Sequence, residues 1–246
     1  GNRYCVSPMS ILNWMPEIST RYPLLPDMLN NMEWSGLVTL DGKEISLSGK
    51  KRTILTACDG VNKIPFLYGI YNSENLESSK AFLERVKKVY PVKIKGITTD
   101  FGRGKCFLEP IAEFFEGTPH QICLVHFKRY VWLFLPRTKR SRYYWRNKVL
   151  KELINRILDA ETYEESMKWL DILNQRKAFF KASYHKRFIR SINRNYTLLT
   201  AHYHYRELLK TTNVSECINR QLERKLKNLD GFKSNYNLQS FLRIWF

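Results

Sequence analysis

The sequence predicts an α/β fold: a mixed five-stranded sheet flanked by helices, with an all-α insertion ahead of a late helix. Three observations carry this. Five short runs rich in β-branched or aromatic residues, bounded by turn residues, all fall before residue 126, with helical periods between the later ones. From about 127 to 210 the strand signal disappears, and few Gly or Pro interrupt the helical period. The charge divides at the same place. Residues 1–126 carry 15 Lys/Arg and 13 Asp/Glu, whereas residues 127–246 carry 26 and 10.

Taken in order, residues 1–35 read as a remnant and a linker. Ser7 supplies a cap and Pro8 the first helical position of a segment running to Trp14, either a surface helix or the last helix of a helix-turn-helix. Pro16, Pro23 and Pro26 then break the chain. Strands are expected at 36–41, 52–58 and 65–71, a meander. An amphipathic helix from Asn75 to Tyr90 places Leu76, Ala81, Phe82, Val86 and Val89 near a 3.6 period. A fourth strand at 93–99, a helix from Cys106 to Phe115 and a short strand from His120 to Val125 complete the set. The order β-β-β-α-β-α-β is that of an RNase H-like core, expected over 36–126 and resumed over 211–246 around a basic helical insertion at 127–210. Within the insertion, Leu150–Leu158 and Tyr163–Leu173 are helical in period.

The composition excludes several classes. No run approaches the roughly 18–20 apolar residues of a membrane span, and no secretion signal opens the chain. The first residue is Gly1 and the last residues form an apolar run to Phe246, as a fragment would. Five scattered cysteines without a C-x-x-C pair argue against a disulfide framework and for a reducing compartment. The net charge of +18 points to a polyanion, because each Lys or Arg that meets a phosphate releases a condensed counterion.

Three acids stand where chemistry would need them. Asp41 ends the apolar run from Gly36, Asp100 ends the run from Ile94, and Glu216 opens a helix-like stretch. Two strand-end carboxylates and one on a helix can converge on two divalent ions, Mg²⁺ or Mn²⁺, which in-line attack on a phosphodiester uses. Each acid has a local alternative. Asp41-Gly42 is a hairpin pair, Asp59-Gly60 has the same form, Asp100 can cap a turn, and Asn213-x-x-Glu216 is a formal capping box. Cys123-Leu124-Val125-His126 is half a zinc site, with His202-x-His204 the only further pair, or else a packed Cys and a polar His at a strand end. No G-x-S-x-G, P-loop or dinucleotide fingerprint occurs. Arg103 and Lys105, close behind Asp100, can meet a DNA phosphate. So can Arg137, Lys139, Arg140, Arg142 and Arg146, in a stretch where six Lys/Arg fall between 137 and 148 with no acid, interleaved with Tyr and Trp.

Leu40-Asp41-Gly42, Thr98-Thr99-Asp100, His120-Gln121-Ile122-Cys123-Leu124-Val125-His126-Phe127-Lys128-Arg129 and Thr212-Asn213-x-x-Glu216-x-x-Asn219-Arg220, with Gly231-Phe232-Lys233-Ser234, together resemble DDE transposases of prokaryotic insertion sequences. The chain is most similar to the Mutator-like and related groups with a C-x-x-H after the fifth strand, over about 36–240. The resemblance implies a catalytic, metal-holding triad of Asp41, Asp100 and Glu216, two Mg²⁺ ions, and Arg220 among the DNA contacts. It also implies cleavage and strand transfer at terminal inverted repeats and target DNA, a homodimer on DNA, and a cytoplasmic, nucleoid-associated enzyme. A non-catalytic DNA-binding derivative and another RNase H-like nuclease are the alternatives.

Overall fold

The structure, a computed structural model, describes residues 8–21, 32–101, 106–136, 138–228, 232 and 234–245. Its centre is a five-stranded sheet in the order β3-β2-β1-β4-β5. β1 (Leu37–Leu47) and β2 (Lys50–Asp59) form a hairpin closed at Ser48 and Gly49, both at positive φ, as a two-residue turn between twisted strands requires. β3 (Ile64–Tyr71) is antiparallel to β2, while β4 (Gly96–Thr99) runs parallel to β1 and β5 (His120–Ile122) parallel to β4. Helix α2 (Leu76–Val89) starts at a capping box in which Asn75 and Ser78 satisfy each other's backbone N–H. It and α3 (Leu108–Phe114) cover one face of the sheet. This mixed sheet with flanking helices is an RNase H-like α/β fold.

Three local expectations are corrected. β1 does not end at Asp41 but continues to Leu47, so Asp41-Gly42 is not a turn; Asp41 stands opposite Thr56 in the ladder. β5 stops at Ile122, and Leu124 already belongs to α4 (Leu124–Phe134). Leu124, Phe127 and Val131 are buried at helical spacing, which a strand could not bury on one side. Pro16 does not break the first helix, α1 (Pro8–Thr20), which runs through it and buries Met15 against Leu238 and Leu242. Pro23 and Pro26 lie outside the described residues.

The helical section consists of α4, α5 (Tyr144–Leu158), α6 (Tyr163–Gln175) and α7 (Ser183–His204). It has its own apolar cluster, including Phe127, Leu150, Ile154, Leu173, Phe188 and Ile192. It is tied to the sheet through Gln121, whose side chain donates to Leu199 O and accepts from His202 N. Its two ends meet: Leu124 N donates to Lys210 O at 3.0 Å. The chain then returns to the core as α8 (Asn213–Asn228) and α9 (Asn235–Trp245).

Candidate active site

Leu40 pairs with Thr99 across the parallel β1–β4 ladder, so Asp41 and Asp100 are the next residues along two neighbouring strands. Helix α8 runs beside β1 in matched steps. Ser215 Oγ lies 2.7 Å from Thr39 Oγ1, Asn219 Nδ2 donates to Asp41 Oδ2 at 2.8 Å, and Lys43 Nζ donates to Glu223 Oε2 at 2.7 Å. Four helical residues rise about 6 Å and two strand residues about 6.6 Å, so every fourth residue of α8 meets every second residue of β1. Neighbouring residues fit the same face: Thr56 Oγ1 donates to Asn219 Oδ1, and Thr98 Oγ1 donates to Leu209 O. Gly96 lies under Leu208, whose Cδ1 would stand 2.6 Å from a Cβ added there and would have to move aside.

Asp41 is buried, and burial, reinforced by the charge of Asp100, pushes its carboxyl up to about 7 against the bonds from Asn219 and Gly42 N. Asp100 is half-buried, its Oδ1 3.4 Å from His126 Nδ1. That same nitrogen lies 3.2 Å from Cys123 Sγ and 3.2 Å from Thr212 Oγ1. Burial disfavours the imidazolium, but the Cys123 sulfur and the charge of Asp100 outweigh it and raise the His126 pKa. Burial likewise opposes a thiolate at Cys123, but hydrogen bonding and charge from His126 lower its pKa. Cys123 Sγ also accepts from Thr212 N. The C-x-x-H block therefore fastens the first turn of α4 to the residue whose carbonyl accepts from Glu216 N.

Glu216 accepts from Arg129 Nη1 at 2.9 Å and Arg220 Nη2 at 3.3 Å. Burial raises its pKa, but the Arg129 contact outweighs this and lowers it. The charge of His126 acts on both Asp41 and Glu216. The three acids thus surround one histidine. Among the described residues, however, no three Asp, Glu, His or Cys side chains converge closely enough to hold a metal ion. The donor chemistry of Asp41 and Asp100 fits a hard divalent cation. Their mutual repulsion is what a cation between them would relieve. Both arginines hold Glu216 through one oxygen, Oε1.

Asp59 is a structural acid. Its carboxylate accepts from Ser35, Val61 N, Asn62 N and Tyr90 OH, and these bonds outweigh burial to lower its pKa. His202 is bound to Gln121, and His204 lies against Tyr163. Lys139, Arg140 and Arg142 are exposed on the helical section; Arg146 lies over Tyr143 and Phe179. No hydrogen bond or ion pair joins these four to the acids among the described residues. Arg103, Lys105 and Arg137 lie outside the described residues. Sequence reasoning missed Asn219 as the partner of Asp41 and Arg129 as the partner of Glu216. Arg129 lies one helical turn beyond His126, a spacing that could have marked it.

The fold defines an α/β protein of the RNase H-like class. The chain belongs to the Mutator family of transposases: the model of that family, "Transposase, Mutator family", matches residues 57–244. The match includes Asp100 and Glu216 and begins after Asp41. No curated protein matches the chain.

Proposed function

We propose that this chain is the catalytic part of a DDE transposase. In this reading it hydrolyses a phosphodiester at the ends of a mobile element, and the freed 3′-hydroxyl then attacks target DNA. The observation that carries the reading is the side-by-side placement of Asp41 and Asp100 on parallel strands, with Glu216 on the helix that runs beside β1. Asp41, Asp100 and Glu216 would hold two Mg²⁺ or Mn²⁺ ions. Bound there, the ions would supply activation of the attacking oxygen and charge relief at the leaving one. The chain's own residues prepare the site. Asn219 fixes the Asp41 carboxylate. His126 keeps positive charge beside Asp100. Arg129 and Arg220 hold Glu216 until DNA and ions compete for them. The section 127–210 would act as a basic insertion that tracks the DNA backbone, and two copies would act on paired element ends.

The test is nicking and end joining on DNA carrying the flanking inverted repeats, with Mg²⁺ or Mn²⁺ and with chelator. Asp41→Asn, Asp100→Asn and Glu216→Gln should each abolish nicking while DNA binding persists. A variant that nicks like the parent would overturn its assignment. One observation favours a second reading, a DNA-binding protein without catalysis: Glu216 is turned to two arginines. Binding without nicking under all conditions would select it.

A further inference from the structure

A groove of about 960 Å³ opens at Asp100 and runs between α4 and α7. Sites that enclose small ligands span roughly 300–1,000 Å³, so a nucleotide has room here. One wall carries Arg187, Arg190 and Arg194, spaced three and four residues apart and so on one face of α7. All three are exposed, and none has a carboxylate partner among the described residues. The other wall, from α4, carries His126 and Arg129 and then Tyr130, Leu133 and Phe134. Leu133 is 76% and Phe134 50% exposed, an unusual display for adjacent large apolar side chains. The Arg187 guanidinium lies 4.9 Å from the centre of the Phe134 ring, so cation and ring stand together.

A duplex offers phosphates but keeps its base faces stacked inside. An unpaired nucleotide offers both a phosphate and a ring face. Three arginines without a carboxylate partner among the described residues, beside the exposed Leu133 and Phe134, match the second and waste half their surface on the first. We propose that this groove holds unpaired nucleotides of the DNA strand beside the bond cut at Asp100, with a base against Phe134 and Leu133 and phosphates on the three arginines. Only the position of the cut bond rests on the transposase reading; the preference for unpaired DNA stands on the groove.

The probe is a labelled oligothymidylate compared with a duplex of equal length, titrated with the full chain in chelator so that no cutting occurs. Phe134→Ala should weaken single-strand binding about tenfold and duplex binding by less than about twofold, and Phe134→Trp should restore it. Replacing all three arginines with Ala should flatten the single-strand salt slope by roughly 2. Because binding is read in chelator, without cutting, its failure is distinguishable from a failure of nicking. Equal losses on both probes would make the groove an ordinary phosphate track and overturn the proposal. So would unchanged single-strand binding in Phe134→Ala, including the case in which Leu133→Ala and Phe134→Ala instead alter the oligomeric state, showing that a second copy covers the groove.

Discussion

Along β1, consecutive residues face opposite environments. Val38 and Leu40 enter an apolar layer with Leu55, Phe82 and Val86. Thr39 and Asp41, one residue out of step, enter a polar layer with Thr56, Ser215 and Asn219. The strand is buried on both sides along this stretch, but only one side draws its stability from buried apolar area. The other keeps a carboxylate in a place that resists its charge, and the bonds from Asn219 and Gly42 N fix its orientation. Stability and geometry are thus divided between two faces of a single strand.

Substitutions on each face should separate the two. Leu40→Ala, at a fully buried position, should lower unfolding free energy by about 2–5 kcal/mol in a urea titration. A loss below about 1 kcal/mol would mean that the apolar face is not where stability resides. Asp41→Asn should do the opposite. The Asp41 carboxyl moves from its ordinary 3.8 to about 7 in the folded chain, so the folded state binds the proton more tightly. That contribution is present below about pH 4 and is lost as pH rises toward 7. Without divalent ions, Asp41→Asn should therefore stabilise the protein at pH 8, by at most about 4 kcal/mol, and leave it unchanged at pH 4. A stabilisation independent of pH would contradict burial of the charge.

Saturating Mg²⁺ or Mn²⁺ should sharpen the contrast by stabilising the parent at neutral pH, by about 2.7 kcal/mol at a hundredfold excess over Kd. Asp100→Asn should remove most of the resulting rise in melting temperature, and Leu40→Ala should retain it. The smallest change in stability belongs to neither face. Replacing Arg140, Arg142 and Arg146 with Ala should cost about 1 kcal/mol or less, from the lost ring contacts of Arg146. The same variant should flatten the salt dependence of duplex binding by up to about 2.7 in log–log slope. An unchanged slope would place the DNA path elsewhere on the chain.

The succession of strands and helices along the chain, and the end of β4 just before Asp100, could be read from the residues, because β-branched runs bounded by turn residues are local signals. The extent of β1 could not. Asp41-Gly42-Lys43-Glu44 has the chemistry of a turn, and only pairing with Thr56, Leu55, Ile54 and Thr53 carries it through as strand. Helix α4 was hidden because Ile122, Cys123, Leu124 and Val125 make one apolar run across the end of β5, and the period changes only once Phe127 and Val131 are counted. The partners of the acids were out of reach for another reason. Asn219 meets Asp41 across 178 residues and Arg129 meets Glu216 across 87, and no local pattern records such separations. Glu216 could be placed on a helix, but not its turn toward arginine.

The bond from Leu124 N to Lys210 O, with the Cys123–Thr212 contact beside it, means that the polypeptide leaves the sheet and comes back at one point. What lies between is, mechanically, a side loop with a closed neck. Its outer part, α5 and α6, can change in length and shape without shifting Glu216 relative to Asp41, whereas α4, through Arg129, and α7, through Leu199 and His202, are fastened to the site and the sheet. Whole helices could be lost, gained or replaced there across lineages, while a single residue added to α8 between Ser215 and Asn219 would turn the helix by about 100° and put the site out of register.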